Sequence, residues 1–499
     1  GFMTILFMKK KYQLERFFVT WLMILFMILT DAFTAFAQVK QATVLVNGIS
    51  CDLEQGILKV EFVTPDVVRV QYTGENTFMG NGTDVCLSRT VDNPVRWVYT
   101  PNPDCYLLKS DSLIVRVDLS TAFITYLDKE GRLLLQEDQN IPRISEKRVT
   151  KQVIYDEHSK HIEKTADGDK EIKNVLRYDI IGHTWKYRIN FKWQPLEALY
   201  GWGAHMEDYM NLRGKELYLC QHNLKAMVPV LNSTAGYGLL FDAGCAMMFK
   251  DNSEGSFVEL EAAKQIDYYF MKGKTMDAVV ANYRLLTGNS PMMPLYLFGY
   301  IQSKERYVSS DDLINTLKEY RQRQIPIDMI VQDWNYWPEG QWGNMSMNPK
   351  FYPDKRKLAD EIHSLHAKLM ISIWPNAMNC PQHEEFKRKG WLLSGTSVYD
   401  AFNPLARKLY WNYANNEFFG NGFDAWWCDA SEPLDADWTF MKDGYGADNH
   451  RQRWELNTNL LNSVLGAERS QLYSLYHAKG IYENQRSTCL LYTSDAADE

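Results

Sequence analysis

Residues 422–433, GFDAWWCDASEP, set two tryptophans and a cysteine directly before Asp429, with Glu432 three residues further on. A carboxylate in aromatic, apolar surroundings suits two kinds of chemistry: nucleophilic attack on an electron-poor carbon, or proton transfer as a general acid or base. Alternate residues of an extended strand share a face. Ala425, Trp427 and Asp429 therefore point one way, and Asp424, Trp426 and Cys428 the other. Trp427 can then wall the pocket in which Asp429 works. Two more apolar runs end in similar groups, IDMIVQD in Asp333 with Trp334 behind it, and KLMISIW in Trp374. Nine of the 15 tryptophans fall between residues 334 and 438. Their flat faces suit the C–H faces of sugar rings, although an aromatic core would use them equally well.

The elements that must position these groups are legible around them. From Pro294 onward, apolar runs without alternation are separated by helical patterns, the signature of parallel strands buried on both faces. The first run is YLFGYIQ (residues 296–302), followed by a helix over 309–324 with Ser309 or Ser310 as its cap and Leu313, Leu317 and Tyr320 on one face. Strand 327–333, a helix near 354–366, strand 368–374, a helix near 404–419 and strand 423–429 complete four alternations. At about 40 residues per unit, the economical architecture is a (β/α)8 barrel of which about the first half is present. A doubly wound open sheet is the rival, but no Gly-rich turn follows the first strand. In such a barrel the working side chains project from the carboxyl ends of the strands, where Asp333, Trp374 and Asp429 lie.

Upstream, ILKVEFV (57–63), VVRVQYT (67–73) and LIVRVDL (113–119) alternate with period two between turn residues, which predicts an antiparallel β-sandwich over residues 38–291. Residues 127–136 read as a hairpin around Glu130-Gly131. The charged stretch from Asp156 to Lys173 reads as a solvated loop or hairpin tip. The barrel part is assigned to 292–488.

With these runs in order, the chain resembles glycoside hydrolase family 31, the retaining α-glycosidases built as a β-sandwich followed by a (β/α)8 barrel. The resemblance covers nearly all of residues 38–488. It is carried by FGYIQSKERY (298–307), IVQDWNYW (330–337), ISIWPN (371–376), WWCDASEP (426–433) and YHAKGIYENQR (476–486). It implies that Asp429 is the nucleophile forming a covalent glycosyl-enzyme, with Glu432 as a supporting acid. It implies further that Asp333 binds hydroxyls of the sugar next to the cleaved bond, and that Trp374 lines the same subsite. Lys304 and Tyr307 follow the first strand and would edge the pocket, with Trp427 as its wall. The structural alternatives are capping roles for the two aspartates, a core role for Trp374 and surface roles for Lys304 and Tyr307. A retaining enzyme also needs an acid/base carboxyl roughly 5 Å from the nucleophile. In the family it follows the sixth strand and is expected to be absent from this chain, Asp435, Asp437, Asp443 and Asp448 being loop or capping residues.

The motifs QSKERY, DASEP and YHAKGIYENQR lean toward the α-xylosidase branch, which implies release of terminal α-xylose from oligosaccharides such as xyloglucan fragments. An α-glucosidase, a lyase or transglycosylase acting through the same intermediate, and a non-catalytic carbohydrate-binding protein are the alternatives. Two carboxylates suffice for the hydrolytic chemistry, so no cofactor is expected. A formal net charge of −8 offers no footprint for nucleic acid. The cysteines form no C-x-x-C pair or His-flanked metal spacing, so no metal site is expected; an oxidising compartment leaves room for one or two disulfides, which the sequence cannot assign. Lys9, Lys10, Lys11 and Arg16, the apolar run 17–29 and the triplet Ala35-Phe36-Ala37 read as a secretory signal within residues 1–37. The expectation is an exported, periplasmic or secreted protein without a stable membrane span. Residues 489–499, CLLYTSDAADE, back-translate into a sequence resembling a library adapter, so the natural protein is expected to differ there and to continue.

Overall fold

Strand Leu113–Asp118 buries Leu113, Val115 and Val117 and leaves the residues between them half-covered, the alternation of a strand with one face in a core. The computed structural model describes residues 37–80, 85–87, 94–165, 168–223, 225–253, 255–434 and 450–488. The expected leader, residues 489–499 and Asp435, Asp437, Asp443 and Asp448 lie outside these, residue 37 excepted. Within the described residues, an eight-stranded and a ten-stranded antiparallel sheet share one apolar core, the sandwich that period-two patterning predicts. Strands Ile124–Asp128 and Leu133–Glu137 form the expected hairpin, with Asp128 Oδ1 accepting from the N–H groups of Glu130 and Arg132. The charged stretch tips a pair of long strands, Ile144–Tyr155 and Val175–Lys192.

Two features differ from the sequence reading. Strand Val67–Thr73 is buried along its whole length. Its polar face carries Arg69, whose Nε and Nη2 donate to the two oxygens of Asp267 at 2.9 and 2.5 Å, with Gln71 donating at 3.1 Å. The second feature is the helix Met276–Thr287, capped by Thr275, which lies inside the region assigned to strands. Its Val279 and Leu286 pack on Val67, Leu240 and Met271, which is why the outer face of this sheet is covered.

The barrel strands Ile301–Gln302, Met329–Gln332, Lys368–Ile373 and Ala425–Cys428 pair in parallel and in sequence order. The run 296–302 is not one strand. Leu295–Phe298 forms a 3-10 turn, and Gly299 passes so close to Asp328 that a Cβ would stand 1.9 Å from its Oδ2. Tyr300 N–H donates to the same carboxylate at 3.1 Å, so the chain crosses the start of the second strand before it pairs. Helices Ser310–Gln322, Lys355–Ser364 and Pro404–Glu417 bury Leu313, Leu317, Leu358, Ile362 and Tyr410 in the core against the outer strand faces. A further helix, Pro381–Lys389, sits in the loop after the third strand and is not apparent in the sequence pattern. Helices His450–Leu465 and Tyr473–Thr488 follow. The seven described cysteines are all free thiols.

Candidate active site at the carboxyl ends of the barrel strands

Strand register decides what these side chains can reach. Met370 pairs with Ala425 and Ile373 with Cys428, while Gln332 pairs with Ile371. Met329, Val331 and Met370 form an apolar cluster with Ile301 and Ala425 on the inner face of the strands. Two-residue periodicity then carries the inner face on to Asp333, Ser372, Trp374, Trp427 and Asp429. Trp426 goes the other way. Its ring meets Trp411 and Phe418 edge-on, and its Nε1 donates to Gln485 Oε1 at 2.8 Å in the last helix.

Asp333 and Asp429 end their strands in the same manner. Asp333 Oδ1 accepts the N–H of Trp334 and Asp429 Oδ1 that of Ala430, each at 2.8 Å. Shortly after each, the backbone enters the left-handed region, at Asn335 (φ 59°) and Ala430 (φ 53°). This conformation is tolerated by Asn and strained for Ala, so the turn behind Asp429 is held by its surroundings. One of these is the Asp429 N–H, which donates to Ile373 O at 3.0 Å and locks the strand end to its neighbour.

A residue missed in the sequence joins two that were expected. Ser372 is fully buried, and its Oγ accepts from Trp374 Nε1 at 3.1 Å. Its hydroxyl lies close enough to the Asp333 carboxylate to favour the ionised form, so Asp333, Ser372 and Trp374 stand in one line across the two strand ends. The available signal was its place two residues before Trp374, on the same strand face. Burial pushes the Asp333 carboxyl above its ordinary value, opposed by the Trp334 N–H and Ser372 and reinforced by the negative charge of Glu305. Trp374 is itself buried, with its carbonyl accepting from Tyr410 at 3.0 Å.

The remaining expected residues lie around this line. Trp427 is 47% exposed. Glu432 is half-buried beyond the turn at Ala430, where Ser431 Oγ donates to Cys428 O at 2.8 Å. Tyr307 is buried beneath the loop after the first strand, and its carbonyl accepts from Gln332 Nε2 at 3.1 Å and Tyr352 Oη at 2.7 Å. That places it under Gln332, the residue before Asp333. Lys304 lies 4.5 Å above the Tyr307 ring and pairs with Asp312 at 3.2 Å.

A β-sandwich leading into parallel barrel strands, with carboxylates among tryptophans at their carboxyl ends, is an architecture shared with solved glycoside hydrolases. Residues 290–490 match the family described as "Glycosyl hydrolases family 31 TIM-barrel domain", and this segment is a barrel domain of glycoside hydrolase family 31. It is 33% identical over 313 residues to an alpha-xylosidase of Saccharolobus solfataricus, covering 61% of this chain and 41% of that protein. It is 29% identical over 270 residues to an uncharacterized family 31 glucosidase of Pseudescherichia vulneris, covering 50% of each. The chain thus spans about half the length of these curated relatives or less. A solved family 31 alpha-xylosidase from a soil metagenome, complexed with xylose, superposes with a TM-score of 0.70 at 22% identity, covering 90% of this chain and 64% of that one. That last likeness is one of fold.

Proposed function

We propose that the complete protein is an exported, retaining α-glycosidase that removes terminal α-xylosyl residues from oligosaccharides such as xyloglucan fragments. The observation that carries this reading is the juxtaposition of Asp429 with the Asp333–Ser372–Trp374 line at one end of adjacent parallel strands. Asp429 attacks the anomeric carbon and is displaced by water in a second step. Asp333 holds hydroxyls of the same sugar, and Trp374 and Trp427 offer it apolar faces. Glu432 supports the loop behind the nucleophile. The acid/base carboxyl comes from beyond the described residues. The relatives named alpha-xylosidase support xylose over glucose. An α-glucosidase is the second reading, supported by the Pseudescherichia relative, and one hydroxymethyl group separates the two sugars. No helix among the described residues is long and apolar enough to cross a membrane.

The test is turnover of aryl α-xyloside and aryl α-glucoside by the complete gene product. Asp429→Asn is expected to lower kcat by at least about 10³-fold, the scale on which loss of a covalent nucleophile is felt. A mechanism-based glycosyl label should attach to Asp429. Retained turnover in Asp429→Asn, or labelling at another residue, defeats the assignment. Sugar binding without turnover in the unmodified protein favours a carbohydrate-binding role instead.

A further inference from the structure

The aromatic lining of this end of the barrel extends past Trp374. Trp342 meets Trp374 edge-on with ring centroids 5.4 Å apart, and Trp334 leans on Trp342 at 5.6 Å and 47°. Trp374 is buried, whereas Trp334 and Trp342 are only partly so and keep accessible surface. Trp334 follows Asp333 directly, two residues beyond the end of the strand Met329–Gln332, and is partly buried against the core there. Its backbone is pinned by the bond from its N–H to Asp333 Oδ1 and by the left-handed turn at Asn335. The ring has Trp342 as one neighbour. Another is Arg306, from the loop after the first strand, whose guanidinium carbon lies 5.4 Å from the Trp334 ring centre. The guanidinium also lies near Tyr352, whose hydroxyl its charge favours in the ionised form, but the ring it lies over is the Trp334 indole.

We propose that Arg306 is a positioning residue that clamps the Trp334 indole as a stacking wall for the second sugar ring, on the leaving-group side of the Asp333–Asp429 pocket. The proposal rests on the glycosidase reading above. An exo-acting pocket holds one terminal sugar, so the rest of the substrate must leave past the rim, and Trp334 is the partly exposed ring next to Asp333. A planar guanidinium suits this task because it stacks on an indole while the opposite face of the ring stays free.

The experiment compares an α-glycosyl disaccharide with the matching α-glycosyl fluoride, which has no second ring, in the complete protein. Arg306→Ala is expected to raise KM for the disaccharide about three- to tenfold, with kcat within about twofold, which is the range of a partly exposed cation–aromatic contact. Hydrolysis of the fluoride should not change, and Arg306→Lys should recover part of the loss. Equal losses on both substrates, or none on either, overturn the proposal. A readout independent of turnover is the coupled indole circular dichroism of the Trp334–Trp342 pair, defined as the signal lost in Trp334→Phe, since Trp342 also couples to Trp337 and Trp374. It should shrink in Arg306→Ala, and its persistence overturns the proposal. Failure of the unmodified protein to hydrolyse either substrate would instead sink the glycosidase reading, leaving the dichroism to decide the role of Arg306.

Discussion

At the scale of single residues, Asp333 and Asp429 share a backbone setting and differ in what lies behind it. Asp333 is drawn into the buried Ser372–Trp374 line, and burial holds its carboxyl above the ordinary range. A group whose folded value is raised contributes stability that is fully present below the unfolded value and lost as pH rises through the folded one. At pH values above its raised folded value, the Asp333 carboxylate is therefore a net cost to the fold. Asp333→Asn is expected to leave the Tm at pH 7 unchanged or higher, as measured by calorimetry, while sugar affinity and turnover fall. A marked drop in Tm would mean that the carboxylate is structural.

Elements meet at this end of the barrel through close backbone approaches. Gly343 has φ 64°, and a Cβ there would stand 1.9 Å from Asn376 O. Next to it, Met378 N–H donates to Trp342 O at 2.9 Å, tying the loop after the second strand to the loop after the third. Gly343→Ala is expected to destabilise the fold by about 2 kcal/mol or more through strain and clash, read from denaturant midpoints. On the outer side, the helix Tyr473–Thr488 docks through His477, which is fully buried with its Nδ1 2.7 Å from Tyr399 Oη. Burial lowers the ring from its ordinary 6.5 to about 4. Between those values the unfolded chain binds a proton that the native chain refuses. Stability should fall by up to about 3 kcal/mol as pH drops across that window and level off below it. His477→Gln, which can still bond Tyr399, should flatten this dependence in denaturant titrations at pH 7.5 and 5. An unchanged slope would assign it to other groups.

For the whole molecule, the two parts are joined by specific contacts. Trp454 of the helix His450–Leu465 packs against Tyr218 with ring centroids 5.2 Å apart, and Gln471 Oε1 accepts the Gln221 N–H at 2.6 Å while its own N–H donates to Gly244 O. Lys264 pairs with Glu468 at 3.0 Å. The β domain therefore packs against the helix His450–Leu465 and the segment that follows it, both beyond the fourth barrel strand. Among the described residues the barrel sheet has four strands, and its first and fourth have one neighbour each. Residues 38–488 alone are expected to turn over neither α-xyloside nor α-glucoside, for want of the acid/base carboxyl. Measurable hydrolysis by that segment would show that a residue within it fills the role.

Local pattern by itself determined much of this protein. Alternation in residues 113–118, unbroken apolar runs ending in Asp333, Trp374 and Asp429, and a capping serine before residue 310 each follow from neighbours two to four positions apart, so the sequence displays them directly. Other features depend on contacts between distant segments. The run 296–302 breaks because Asp328 occupies the space beside Gly299, and Arg69 is buried because Asp267 and the helix Met276–Thr287 await it. Ser372 becomes the link between Asp333 and Trp374, and Arg306 the neighbour of Trp334, only when parallel pairing brings four strand ends to one level. Strand register is a non-local quantity, and it converts separate carboxylates and indoles into one site.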